Sequence, residues 1–396
     1  MILEERAYIK MKFSKRMDLF GESIFTTLAN MRSERKKQGL EVIDLSIGAP
    51  NIPPTQEVME TIAKEAMKPE NYLYAIKDSV DLQNTVKEWY ERRYGVTIDP
   101  ETEMTSLLGS QDGLAHLALT LVDEGDIVLV QDPCYPIFRD GPLLAGAKVV
   151  TMPLLKENDY LIDFDMINEK TAQDAKYMIV SYPNNPTCGV ANDEFYNKLI
   201  VFAKKYNIMV LHDNAYSELL FEGPGHSFLE FEGAKDVGIE FNSLSKTYGL
   251  AGARIGFALG NKEIIGKLKS LKSNLDYGMF LPVQKGAIKA LTQDQSCVEK
   301  TRNAYKHRRD LLVNGCKSIG WDIDMPKGTM FVWAKIPDKF KDSETFVKEL
   351  FDKTGVLVPG NAFGTQGEGY VRMALVQSDD TIEHALDMMD KSGLFK

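Results

Sequence analysis

Short apolar runs recur along the middle of this chain, each closing on polar residues or proline: DIVLVQDP, KVVTMPL, KYMIVSYP, NIMVLHDN and GIEFNSL. Runs of this length, rich in Val and Ile and bounded by turn formers, predict buried strands. Between them lie stretches with helical spacing, NDEFYNKLIVFAKKYN among them, and GSQDGLAHLALTLVDEG reads as a glycine turn opening a helix. Strands alternating with helices predict βα units on a mostly parallel sheet covered on both faces, an α/β architecture. In such a sheet ligands bind at the carboxyl ends of the strands, which is where the polar residues collect here.

After about residue 290 the pattern changes to a long charged helix, CVEKTRNAYKHRRDLLVNGCKSIG, followed by the separate strands MFVWAKIP and GYVRMAL among further helices. This predicts a second, smaller α+β domain over 291–396, beside a large domain over 51–290. The first 50 residues do not follow the βα rhythm and are expected to form an arm packed on the small domain.

Composition narrows the function. The chain has 396 residues, 44% of them hydrophobic, and a formal net charge of -10, so it can bury a large core and lacks the basic surplus of a nucleic-acid binder. RSERKK at 32–37 is expected to be a solvated helix face. Cys134, Cys188, Cys297 and Cys316 are scattered without C-x-x-C spacing, and the five histidines form no ligand motif, so neither disulfides nor a metal is expected. The start MILEERAYIKMKF breaks every apolar stretch with a charge, and no later run reaches the roughly 20 apolar residues a membrane span needs. A cytoplasmic protein without membrane or nucleic-acid partners is the expectation.

The strand ends supply the chemistry. LHDNAY puts Asp213 at the end of a buried strand, where a carboxylate can hold a protonated ring nitrogen, with Tyr216 three residues on. SYPNNPTCGV ends its strand in Asn184 and Asn185, in a turn where an X-Pro bond can be cis, and an asparagine so fixed can donate to a ligand oxygen. LGSQDG opens a helix at Ser110 and Gln111, whose unpaired N–H groups suit a phosphate. DPCYP offers Tyr135 as a flat face for an aromatic ligand. FNSLSKTYGLAGARIGFALG adds Ser243, Ser245, Lys246 and Arg254. A phosphate cradle, a ring-nitrogen anchor, an oxygen donor, a stacking face and a lysine together describe a site for pyridoxal phosphate (PLP).

These motifs resemble those of the class I/II aminotransferases, PLP-dependent enzymes of fold type I. SLSKTYGLAGARIGF is similar to that family's S-x-S-K-x-x-x-x-x-G-x-R-x-G lysine motif, and GSQDG, DPCYP, NNPTCG, HDNAY and VRMAL follow its other signatures in order. The resemblance covers nearly the whole chain, and NLDYGMFLPVQKGAIKAL with VPGNAFGTQGEGYVRMALV is most similar to the alanine and LL-diaminopimelate aminotransferase branch. It implies an aldimine between Lys246 and the cofactor, Asp213 on the ring nitrogen, Asn185 and Tyr216 on the ring hydroxyl, and Tyr135 stacked on the ring. It gives the phosphate to Ser110, Gln111, Ser243 and Arg254, assisted by Ser245. Arg372, aided by the backbone at Gly48 and by Asn185, would take the substrate's α-carboxylate. It further implies a homodimer with shared active sites, in which a neighbour's tyrosine reaches the phosphate. Tyr74 in NYLYAIKDSVDL is chosen over Tyr72, which is expected in the core; Ser79 stands where the family carries a glycine, five residues after Tyr74.

The activity so implied is transamination between an L-amino acid and a 2-oxo acid, with glutamate and 2-oxoglutarate as one pair. The same fold also hosts carbon–sulfur β-lyases, the alternative kept open. Taken singly, each residue has a blander explanation: a solvated lysine, a turn-capping aspartate, a packing tyrosine, an arginine in a surface ion pair, and for Ser245 a loop cap. Ordered together at strand ends, they do not. A more distant rival is a serine hydrolase, since SLSK is also S-x-x-K and K-T-G occurs at 353–355, but that K-T-G ends a helical run instead of lying in a strand. A ligand-sensing regulator built on the same domain is not expected, because the residues before VIDLSIGAP leave no room for a DNA-binding unit.

Overall fold

The computed structural model describes residues 11–396; the first ten residues of the expected arm lie outside the described residues. Among the described residues eleven strands run in chain order: β1 (Ile43–Asp44), β2 (Met104–Leu107), β3 (Ile127–Asp132), β4 (Lys148–Pro153), β5 (Ala175–Ser181), β6 (Met209–Asp213), β7 (Gly238–Ser243), β8 (Gly256–Gly260), β9 (Phe331–Lys335), β10 (Val356–Leu357) and β11 (Tyr370–Ala374). Seven form one sheet in the order β2-β8-β7-β6-β5-β3-β4. The five apolar runs singled out in the sequence are β3 to β7, and all pair in parallel. Helices cover both faces, so alternate residues of one strand enter different cores. Met178 and Val180 of β5 pack with Trp89 and Phe195 on one face, whereas Tyr177 and Ile179 pack with Leu114 and Phe138 on the other.

β2 and β8 are additions to the expected pattern. β8 runs antiparallel to β7, with Ser243 opposite Gly256, and β2 runs antiparallel to β8, with Leu107 opposite Gly256. The physical reason is the connection: residues 244–255 form only a four-residue helix, Leu244–Thr247, and a turn, with no helix long enough to carry the chain across the face of the sheet to a parallel strand. The consequence is functional. Gly256 and the end of β2 bring the helix Ser110–Leu121 alongside the strand-end residues Ser243 and Asp213.

β9 and β11 form a separate antiparallel pair, with Arg372 opposite Trp333. It shares a core with the helices Ser296–Ser318, Ser343–Thr354 and Asp379–Lys391, and this core extends to Ala215, Tyr216 and Leu219 just past β6. From the N-terminal segment, β1 pairs in parallel with β10, and Leu28 packs on Phe351 and Leu357. The basic cluster at 32–37 is only in part a solvated face, since Arg32 ion-pairs with Asp44 at 3.0 Å and the Arg35 guanidinium lies 4.9 Å from the Phe351 ring centroid. Among the described residues no helix is long and apolar enough to cross a membrane.

Candidate active site

The carboxyl ends of β5, β6 and β7 open into a cavity of about 270 Å³ lined by Gly48, Ser110, Gln111, Tyr135, Asn185, Asp213, Tyr216, Ser243, Ser245, Lys246, Arg254 and Arg372, with Ile47, Ala49, Ser181 and Phe331 beside them. The fold thus brings together the candidate site residues except Tyr74, while Asn184, next to Asn185, engages its side chain with Ser181 and Thr187 in its own turn.

Asp213 ends β6 with its side chain buried, and among the described residues its Oδ1 has no hydrogen-bond partner. Burial raises its carboxyl to about 7, a shift the Lys246 ammonium partly opposes. A buried carboxylate oxygen without a donor fits a ligand N–H that carries charge. Lys246 is perturbed in the opposite sense: burial, with Arg372 and Arg254 nearby, brings its amine down to about 8. Its Nζ donates to the Gly48 carbonyl at 3.0 Å. Gly48 can be nothing larger, because a Cβ there would sit 2.6 Å from the Phe331 ring.

The anion cradle is built from bare backbone. Gly109 caps the helix Ser110–Leu121 at φ 84, and a Cβ on it would run into the Arg254 guanidinium. Arg254, itself at φ 56, returns its side chain to the Leu108 carbonyl at 3.1 Å. A Cβ on Gly256 would press on Ser110 N at 3.2 Å and the Asn242 carbonyl at 2.7 Å. Lys272 ion-pairs with Asp112 at 2.8 Å and Asp276 at 2.9 Å and so fixes the first turn of that helix. Tyr135 donates its hydroxyl to Gln111 Oε1 at 3.2 Å, which holds the ring at the cradle's edge.

Arg372 is 2% exposed. Its Nη1 donates to Asn185 Oδ1 at 2.8 Å and its Nη2 to the Ser46 carbonyl at 2.9 Å. Its guanidinium carbon lies 4.1 Å from the Phe331 ring centroid and 4.6 Å from that of Phe363. Among the described residues it makes no ion pair, Nε has no partner, and burial lowers its basicity to about 10. A buried guanidinium without a counter-charge is costly, and a carboxylate from outside relieves that cost.

One detail differs from the sequence reading. Tyr72 is not core but 65% exposed, its hydroxyl donating to the Ala66 carbonyl at 2.9 Å, because the segment that carries it lies on the surface. Ser243 makes the loop cap, its Oγ accepting from Ser245 N at 3.2 Å, and the Ser245 side chain lines the cavity. The expected turn at Asn184–Pro186 does contain a cis Asn185–Pro186 bond. Tyr74 is 83% exposed, 5.7 Å from the Tyr277 ring and away from this chain's own cavity. The residues missed were Phe331 and Phe363; both lie in segments legible as a strand and a glycine-rich loop, but no spacing ties either ring to Arg372.

The S-x-x-K reading loses its geometry. Ser243 Oγ is engaged by Ser245 N while Lys246 turns to Gly48, and K-T-G at 353–355 closes the helix Ser343–Thr354, with Gly355 as its left-handed cap at φ 75.

Comparison with known proteins places this geometry among described ones. A family model for aminotransferase class I and II matches residues 41–389. LL-diaminopimelate aminotransferases of Halothermothrix orenii and Aquifex aeolicus are each 41% identical, over 94% of this chain and 96% of the first, and over 95% of this chain and 98% of the second. Among solved structures, substrate-bound BacF from Bacillus subtilis superposes with a TM-score of 0.94 at 35% identity, covering 98% of this chain and 99% of that one. Thermus thermophilus aspartate aminotransferase with maleate gives 0.89 at 26% identity, covering 96% and 100%.

Proposed function

Because the chain belongs to the class I and II aminotransferases and is a PLP-dependent aminotransferase of fold type I, we propose that it moves an amino group between an L-amino acid and a 2-oxo acid, glutamate and 2-oxoglutarate forming one pair. The observation that carries the residue roles is that, among the described residues, two buried groups lining one cavity each keep an atom without a partner, Asp213 Oδ1 and Arg372 Nε, with the perturbed Lys246 amine in the same cavity.

PLP, when bound, supplies an aldehyde that takes up amines covalently and a protonated ring that accepts the electron pair left when Cα loses its proton. The protein's part is to hold and to move protons. Lys246, the covalent anchor, serves as the base that takes the Cα proton and returns it on the cofactor side. Asp213 keeps a proton on the ring nitrogen. Asn185, whose Oδ1 is used by Arg372, has its amide NH₂ left to donate to the ring hydroxyl, beside the Tyr216 hydroxyl. Ser110, Gln111, Ser243, Ser245 and Arg254 take the phosphate, and Tyr135 stacks on the ring. Arg372 orients the substrate's α-carboxylate with three N–H groups left after its two internal bonds.

The test is a single-turnover panel. Holoenzyme mixed with glutamate, alanine or LL-diaminopimelate is expected to lose its visible band while forming one equivalent of the matching 2-oxo acid. With a cysteine thioether such as cystathionine added to the panel, release of the thiol together with pyruvate and ammonia, the band staying intact, would instead favour a β-lyase. LL-diaminopimelate belongs in the panel because the curated relatives carry its name.

The homodimer is supported by exposed apolar side chains close together in sequence, Met67, Leu73, Tyr74, Ile76 and Val80, with Leu275 and Phe280 also exposed. The segment is not loose: the Asp78 carboxylate accepts from Ser106 N at 2.8 Å, and Gly278 N donates to the Ala75 carbonyl at 2.7 Å. Tyr74 of each copy would then serve the other's phosphate. Sedimentation should give a dimer, and Tyr74→Phe should weaken PLP binding about tenfold, one charge-assisted hydrogen bond's worth; a monomer, or unchanged PLP affinity, contradicts this. The division into 1–50, 51–290 and 291–396 is supported by the separate core around β9 and β11. Four free thiols support a reducing, cytoplasmic setting.

A further inference from the structure

Of the two rings that sandwich the Arg372 guanidinium, Phe331 lies in a strand, whereas Phe363 belongs to a loop with little regular structure of its own. Between β10 and β11 the chain carries Gly360, Gly364, Gly367 and Gly369 and only one short 3-10 turn, Thr365–Gly367. Such a glycine-rich loop loses much backbone freedom on ordering, so something must hold it. Its far end is tied down where Gly369 N donates to Ser343 Oγ at 2.9 Å. Its middle is tied to the end of β3, in the large sheet.

That second tie centres on Asp132, which is 3% exposed. Thr365 Oγ1 donates to its Oδ2 at 2.7 Å and Gln366 N–H to its Oδ1 at 3.2 Å. Two residues on, Cys134 N–H donates to the Phe363 carbonyl at 2.7 Å. The fit admits no side chain at Gly364, which stands at φ 130 with its Cβ position on the Asp132 carboxylate. Phe363 is therefore bracketed: its carbonyl is bonded to 134, and the two residues after Gly364 are bonded to 132. Its ring has one place left to go, against Arg372 and edge-on to Trp333 at 6.1 Å.

The geometry points to Asp132 as a positioning residue for recognition of the substrate's carboxylate: by clamping residues 363–366 it keeps the Phe363 ring on the Arg372 guanidinium. This rests on Arg372 being the carboxylate receptor. Without the clamp the ring can leave, water reaches that face of the guanidinium, and the fork is no longer held in one plane for two parallel hydrogen bonds. An interaction with the α-carboxylate is made in the ground state and the transition state alike, so its loss shows in KM more than in kcat.

The experiment uses PLP-loaded full-length enzyme. Asp132→Ala is expected to raise KM for the amino donor about tenfold, with kcat within about twofold. The inhibition constant of propanoate, which has a carboxylate and no amino group, should rise in parallel. Asp132→Asn retains an oxygen for Gln366 N–H and should fall between wild type and Asp132→Ala. The double variant Asp132→Ala/Phe363→Ala should be no worse than Phe363→Ala alone, because both act through one ring. Arg372→Ala separates the premises: if it leaves KM unchanged, the carboxylate receptor is wrong; if it raises KM while Asp132→Ala and Asp132→Asn do not, the clamp alone is wrong. A fall in kcat and melting temperature at constant KM, or additive effects in the double variant, also overturns the clamp. Should Asp132→Ala fail to fold, Asp132→Asn and Thr365→Val carry the same readings.

Discussion

Lys246→Ala should lower turnover by at least about 10⁴-fold, the upper end of what a positioned general base contributes. The reason lies in where the amine sits. Burial and two guanidinium neighbours bring it to about 8, so an appreciable fraction is free base just above neutrality, unlike an exposed lysine. The same side chain is the covalent anchor, so borohydride treatment of wild-type holoenzyme should fix the cofactor's mass on the peptide containing Lys246, and the variant should show no such adduct. Retention of wild-type turnover, or an adduct at another lysine, would remove Lys246 from the centre.

Asp213→Asn should cost roughly 10²–10⁴-fold in kcat, the range for loss of a placed proton partner, because a neutral amide does not keep a ring nitrogen charged. A second readout needs no activity. In the cofactor-free protein the folded state keeps the Asp213 proton up to about 7, whereas the unfolded chain releases it near 4, as an ordinary aspartate does. Between these values the folded state binds more protons, so stability attributable to Asp213 falls as pH rises through that window. The melting temperature of cofactor-free Asp213→Asn relative to wild type should therefore climb from pH 4 to 7. A flat difference would mean that burial does not raise the Asp213 carboxyl.

Much of the architecture was legible because its signals are local. A parallel strand buried on both faces must be apolar along its whole length, which is why β3 to β7 stand out as runs, and the polar residues at their ends are the ones the sheet delivers to one edge. β2 and β8 were not legible: four or five residues, GFALG among them, carry no distinctive period, and an antiparallel return depends on the length of a connection. The exposure of Tyr72 was likewise not legible, since nothing in its local sequence marks the segment around it as surface.

By itself the sequence determined the residue types of the site and their order at the strand ends, because each motif lies within a dozen residues and its chemistry is set by neighbours along the chain. The tertiary structure alone decided how Arg372 is held. Its partners Ser46 and Asn185 lie 326 and 187 residues away, and its two rings come from a strand and a loop that share no periodicity with it. Contacts closed by packing across such separations leave no repeat in the sequence, and a buried cation's need for partners becomes visible only once its surroundings are in place.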